Sequence, residues 1–187
     1  GAFSQAFVPV LAATRATEGD DGARLLVSRV TSILALVLVL LSILGVLAAP
    51  VLVWGMASGL PAGGAAAAVH MTRWMFPYIA FMSLVALAGG VLNTWGKFAV
   101  PAASPVLLNL AWIAALILLV PVFGRLGIEP IYALSVGVLL GGVLQLAQQL
   151  PALHRLGLLP RIRWSIRALR EAWGDEHTRK IMRLMLP

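Results

Sequence analysis

The charged residues of this chain are spaced so that four long stretches hold none. No Asp, Glu, Lys or Arg occurs in the 43 residues between Arg29 and Arg73, the 23 between Arg73 and Lys97, the 27 between Lys97 and Arg125, or the 25 between Glu129 and Arg155. A helix crosses the hydrocarbon core of a bilayer with about 20 apolar residues, so each gap has room for one span. Composition removes the main alternative. Charged residues make up 11% of the 187, whereas a water-soluble domain carries about a quarter. The apolar runs are continuous rather than alternating and too long for barrel strands. The reading is therefore an all-α, polytopic membrane protein with spans at 30–56, 74–92, 105–123 and 130–150. Pro50, Pro77, Pro121 and Pro151, within or beside these spans, fit membrane helices, where neighbouring helices satisfy the freed backbone groups.

The flanking segments divide the chain further. Residues 1–29 carry no initiator Met and lack the basic-then-apolar layout of a signal peptide. They read as the end of a preceding membrane helix and a cytoplasmic loop. Residues 30–150 form a four-helix membrane bundle. Residues 151–187 form a basic amphipathic connector, and "RKIMRLMLP" at its end looks like the start of another apolar helix. The expectation is four complete spans with a partial helix at each end, a piece of a larger membrane protein.

Lys and Arg set the direction of threading. Four spans put both ends on one side of the membrane. On that side lie Arg15, Arg24, Arg29, Lys97 and the eight basic residues from Arg155 to Arg183; on the other lie Arg73 and Arg125. Basic residues mark the cytoplasmic side, so both ends and the loop around Lys97 face the cytoplasm, and the 56–73 loop faces outward. The formal charge of +7 is thus a topology signal, not a nucleic-acid surface, because it flanks membrane spans. In the tail, Ile162, Ile166, Leu169 and Trp173 recur at helical spacing while Arg163, Arg167 and Arg170 fall on another face. Such a helix lies in the interface, its arginines near anionic headgroups of membrane lipids.

Catalytic chemistry is not visible. His70, His154 and His177 stand apart with no second ligand at a useful spacing, and there is no cysteine for a disulfide or a thiolate metal site. No zinc-protease, phosphate-loop or nucleophile-elbow motif occurs. Six of the seven acids lie in the terminal segments, so no span holds the buried carboxylate of a proton relay. What remains is polar and uncharged: Asn93, Asn109, Ser83, Ser135, Gln145, Gln148 and Gln149. Such residues hydrogen-bond neighbouring helices or line a polar cavity. Gly137 and Gly141 form a GxxxG suited to close helix packing. The stretch "GGVLNTWGKFAVPAASPVLLN" reads as a tight cytoplasmic hairpin. In it Gly96 and Pro101 punctuate the turn, Trp95 anchors at the interface, Ser104 caps the third helix and Pro105 takes its first position.

Three stretches together carry a resemblance: "GAFSQAFVPVLA", "FPYIAFMSLVALAGGVLNTWGKFAVPAASPVLLN" and "GGVLQLAQQLPALHRLG". In this order and spacing, over nearly the whole chain, they resemble the MurJ/MviN family of lipid II flippases within the multidrug/oligosaccharidyl-lipid/polysaccharide exporter superfamily. The resemblance implies a fourteen-helix, two-lobe transporter of the bacterial inner membrane, of which this chain is most of the N-terminal lobe. It implies a partner in the C-terminal lobe of the same protein. The substrate would be lipid II, the undecaprenyl-pyrophosphate-linked disaccharide-pentapeptide, moved from the cytoplasmic to the periplasmic leaflet by alternating access. It places Ser4 and Gln5 in a segment where the lobes meet to close the cavity, and matches Asn93 and Asn109 to a recurring pattern of the family. No cofactor is implied in this stretch. The alternatives are an exporter of another lipid-linked sugar or a drug in the same superfamily, and a membrane scaffold or membrane-embedded enzyme.

Overall fold

A computed structural model describes residues 2–186, in which all regular structure is helical; Gly1 and Pro187, the outermost residues of the two expected terminal segments, lie outside it. The elements are α1 (Ala2–Met56), α2 (Ala62–Thr94), α3 (Ala99–Ala114), a π-helical turn (Ala115–Leu119), α4 (Val120–Arg125), α5 (Ile131–Arg155), α6 (Ile166–Gly174) and α7 (Glu176–Met185). Four runs are long and apolar enough to cross a membrane: Ala2–Met56, Ala62–Thr94, Ala99–Arg125 and Ile131–Arg155. Each covers one expected span, the fourth starting at Ile131 rather than Pro130 and running on to Arg155.

The expected boundaries move in three further places. The loop foreseen before residue 30 is helical on both sides of a single break at Gly19, whose φ of 75° and ψ of −173° suit a residue without a side chain. The break turns the chain. Ahead of it, α1 runs parallel to α2, with Val8 beside Gly90 and the Arg15 guanidinium on the Thr94 carbonyl. Beyond it, α1 runs antiparallel to α2, with Ser42 against Phe76 and Val46 against Arg73. The outward loop foreseen at 56–73 shrinks to 57–61, because the Ala-rich stretch that follows is helical. The third helix begins at Ala99 rather than Pro105. Pro101 occupies its first turn, where an N–H has no helical partner in any case. Ser104 is therefore no cap but a buried residue inside the helix.

Three helices end in the same way. At α2, Lys97 N–H bonds the Leu92 carbonyl at 2.8 Å and Gly96 N–H the Asn93 carbonyl at 3.0 Å, with Gly96 at φ 72°. These two bonds define the Schellman motif, which satisfies carbonyls left over at a helix end. Gly127 after α4 and Gly157 after α5 repeat it, through Ile128 to Phe123 at 2.9 Å and Leu158 to Leu153 at 2.9 Å. The π turn also has a local cause. Pro121 offers no N–H and its ring crowds the preceding turn. The chain widens there instead, Val120 N–H reaching back five residues to the Ala115 carbonyl.

The chain forms two compact units. The first comprises Gly1–Val37, Ser83–Ala103 and Leu146–Pro187; the second comprises Leu38–Met82 and Ser104–Gln145. The first has a core of large apolar side chains: Phe7, Leu11, Leu26, Leu92 and Leu158 are essentially unexposed. The tail is bolted to it. Ser165 caps α6 by accepting from Ala168 N–H at 3.2 Å, and Asp175 caps α7 by accepting from Thr178 N–H at 3.3 Å. The helix expected over 161–173 thus starts only at Ile166, and 161–165 is non-helical. The second unit buries mostly small residues, Ala49, Ala111, Ala115 and Ala133, beside Leu38 and Gln145, and has large apolar ones outside, among them Leu44, Leu47, Val51, Ile117 and Leu118.

Candidate functional site

In the second unit, polar and charged groups answer gaps in the backbone. Pro50 lacks an N–H, so the Val46 carbonyl four residues back loses its helical partner. Arg73, from α2, donates Nε to that carbonyl at 3.3 Å. Across the α3–α5 pair, Gln145 donates Nε2 to the Ser104 carbonyl at 2.8 Å, while its Oε1 is buried with no hydrogen-bond partner among the described residues. The expected GxxxG packing is present. A Cβ on Gly137 would come 2.6 Å from the Ala115 methyl, and one on Gly141 2.6 Å from Leu108 Cδ1. Asn109, also in this unit, is exposed on α3.

In the first unit, Ser4 is half-buried and Gln5 exposed in the opening turns of α1. Phe7 and Val8, one turn on, pack against Gly90. Asn93 is exposed near the end of α2. With Val8 level with Gly90, Asn93 stands about two turns, roughly 10 Å, beyond the level of Ser4 on this parallel pair. Among the described residues no hydrogen bond joins Ser4, Gln5 and Asn93. The structure thus places them on one helix pair without assembling them into one site. Nearer the turn, Arg15 bonds the Thr94 carbonyl at 3.1 Å and lies 4.3 Å over the Trp95 ring. Trp95 is held by a cation–π contact that spacing alone did not disclose. Lys97 is exposed just beyond it. On α5, Gln148 donates to the Val100 carbonyl at 2.9 Å, the helix-to-helix role expected of it.

The basic tail is where charge converges. The 161–163 segment lies along α1. Arg161 N–H donates to Ser28 Oγ at 3.2 Å, Arg163 N–H donates to Ser32 Oγ at 3.1 Å, and Trp164 Nε1 donates to the Ser32 carbonyl at 3.1 Å. Ser28 and Ser32 stand one turn apart on one face of α1, and each meets an alternate residue of the 161–163 segment. Arg29, between them, pairs with Asp175 at 2.9 Å. The segment, α1 and α6 form an open-sided cavity of about 250 Å³ whose lining includes Ser28, Arg29, Ser32, Arg161, Arg163 and Glu171. Arg167 reaches Glu171 at 3.2 Å, and Arg170 is exposed on α6. Of the three tail arginines singled out by pattern, Arg163 alone lines this cavity. Arg29 and Arg161 escaped notice because their partners are more than 100 residues away in sequence. Among the described residues no three His, Asp or Glu side chains come together as a metal site would require.

Comparison with known proteins matches residues 1–187 to the family described as "Lipid II flippase MurJ". The lipid II flippase MurJ of Burkholderia cenocepacia is 48% identical over 173 residues, which cover 91% of this chain and 33% of that protein. The probable lipid II flippase MurJ of Haemophilus influenzae is 37% identical over 196 aligned residues, covering all of this chain and 36% of that protein. The corresponding protein of Vibrio cholerae is 36% identical, covering all of this chain and 35% of its own length. The chain spans about a third of the length of these curated relatives.

Proposed function

The chain belongs to the lipid II flippase MurJ family, and we propose that it works as most of one lobe of a flippase for undecaprenyl-linked peptidoglycan precursor. The observation that carries this reading is the family match across residues 1–187. In the proposal the chain is part of a fourteen-helix, two-lobe transporter of the bacterial inner membrane, with its ends on the cytoplasmic side and the C-terminal lobe as partner. The transporter carries lipid II from the cytoplasmic to the periplasmic leaflet by alternating access. It makes and breaks no covalent bond, and this lobe uses no cofactor.

The side chains support a carrier role. The polar groups within the membrane-length helices hold backbone carbonyls, as Arg73, Gln145 and Gln148 do, rather than face one another as acid and base. Ser4 and Gln5 are proposed for the cytoplasmic gate, and Asn93 and Asn109 for the polar cavity wall. Alternating access requires that neither state be favoured by more than a few kcal/mol. Small hydrogen-bonding side chains, each contributing about 1 kcal/mol, suit a contact that must form and release.

The test is complementation. A strain depleted of its own flippase receives the full-length protein carrying this chain, with membrane level checked by immunoblot and lipid II exposure measured at the outer leaflet. Growth and exposure should return with the native chain, persist with Ser4→Ala and fail with Ser4→Trp, which wedges the gate. A native protein that inserts normally yet leaves lipid II inside would refute the flippase reading. Normal growth with Ser4→Trp would refute the gate alone.

A further inference from the structure

The cavity between α1 and the tail has unspent positive charge. Of the three arginines lining it, Arg29 is engaged with Asp175, and the one lining carboxylate, Glu171, is engaged with Arg167. Among the described residues Arg161 and Arg163 have no carboxylate partner. Both residues line the cavity, and their backbone N–H groups bond Ser28 and Ser32, which holds the 161–163 segment against α1. Two planar forks with Arg29 behind them match the oxygens of a phosphate better than they match a monovalent ion.

The surroundings tell what carries such a group. Leu25, which lines the cavity, is 51% exposed, and next to the two arginines in sequence Ile162, Trp164 and Ile166 are 52%, 49% and 80% exposed. A site for a free anion gains nothing from an exposed apolar neighbour. A headgroup entering from a bilayer brings acyl chains that cover one, and the amphipathic Trp side chain suits that depth.

We propose that this cavity seats one phosphate group, held by Arg161 and Arg163 with Arg29 behind, and that its carrier is an anionic phospholipid of the cytoplasmic leaflet. The site ties the tail to the membrane surface independently of what the transporter carries. The proposal rests on the membrane placement of the chain, not on lipid II transport, so its readout is lipid affinity.

The experiment uses the full-length protein in nanodiscs of phosphatidylcholine, titrated with phosphatidylglycerol, with bound lipid counted by native mass spectrometry. For R161Q/R163Q the affinity for phosphatidylglycerol should fall about tenfold or more, while the same charge removed at R179Q/R183Q in α7 should cost less than about twofold. R161K/R163K keeps the charge but not the fork and should fall between them; it also serves if the glutamine variant fails to fold. Inorganic phosphate added in excess should leave the lipid bound. If phosphate displaces the lipid, and binds the native protein but not R161Q/R163Q, the site stands but its carrier is the free anion. Equal affinity in R161Q/R163Q and the native protein, or an equal loss in R179Q/R183Q, would overturn the proposal.

Discussion

The first unit buries the large side chains Phe7, Leu11, Leu26, Leu92 and Leu158 together with Ala23 and Val91; the second buries Ala49, Ala115 and Ala133, with Gly137 close against Ala115. The surfaces differ in the opposite sense. The second unit presents Leu47 at 74% exposure and Val51 at 68%, and its charges are Arg73, Arg125 and Glu129 alone; every other charged residue of the chain belongs to the first. Where the outside is water, a large apolar side chain gains about 1.5–3 kcal/mol by moving in. Where the outside is lipid, it gains almost nothing by moving, and small residues win the interior by letting backbones approach. The two units thus pack by different means, large side chains in the first and closely approaching backbones in the second.

The contrast breaks most visibly if a large core residue of the first unit is cut back. Phe7→Ala leaves a hole against Gly90 and should lower stability by about 3–5 kcal/mol, read as a drop in the apparent Tm of the full-length protein in detergent. A loss near zero would mean that this core is lipid-filled. Next comes Gly137→Val in the second unit. Its Cβ meets the Ala115 methyl with the Trp112 backbone just behind, so the helices must part, at about 1–3 kcal/mol in the same melt. Were this change silent, the small-residue interior would be incidental. The smallest effect sharpens the comparison most. Leu47→Ala deletes as much side chain as a core truncation but faces lipid, and should shift stability by less than about 0.5 kcal/mol. A cost as large as that of Phe7→Ala would place Leu47 against protein.

The four membrane-length helices were legible because absent charge is a strong signal over 20 or more residues. The breaks between them were not. "TEGDDGAR" looks like a loop by composition, yet Arg15–Asp20 at 3.0 Å and Arg24–Asp21 at 3.2 Å pair its charges, and only Gly19 leaves the helix. Pro101 was read as part of the turn and Pro105 as the first residue of α3, yet the helix begins at Ala99. That start follows from contacts across helices, such as Gln145 on the Ser104 carbonyl, which no local pattern encodes. Gly137 and Gly141 were read correctly as packing residues because their spacing carries the geometry within itself. The basic tail was half legible. Helical spacing found Arg163, but a segment pinned by two serines of α1 depends on a pairing across more than 120 residues.

The three glycine-ended helices bear on how the chain is made. Each terminal pair of hydrogen bonds spans at most six residues, from Leu92 to Lys97, Phe123 to Ile128 and Leu153 to Leu158. A loop this short closes within about 100 ns, whereas a ribosome adds a residue in roughly 0.1 s. Each of these turns can therefore close before the helix that follows has been synthesised, so nothing later in the chain is needed to bend these corners.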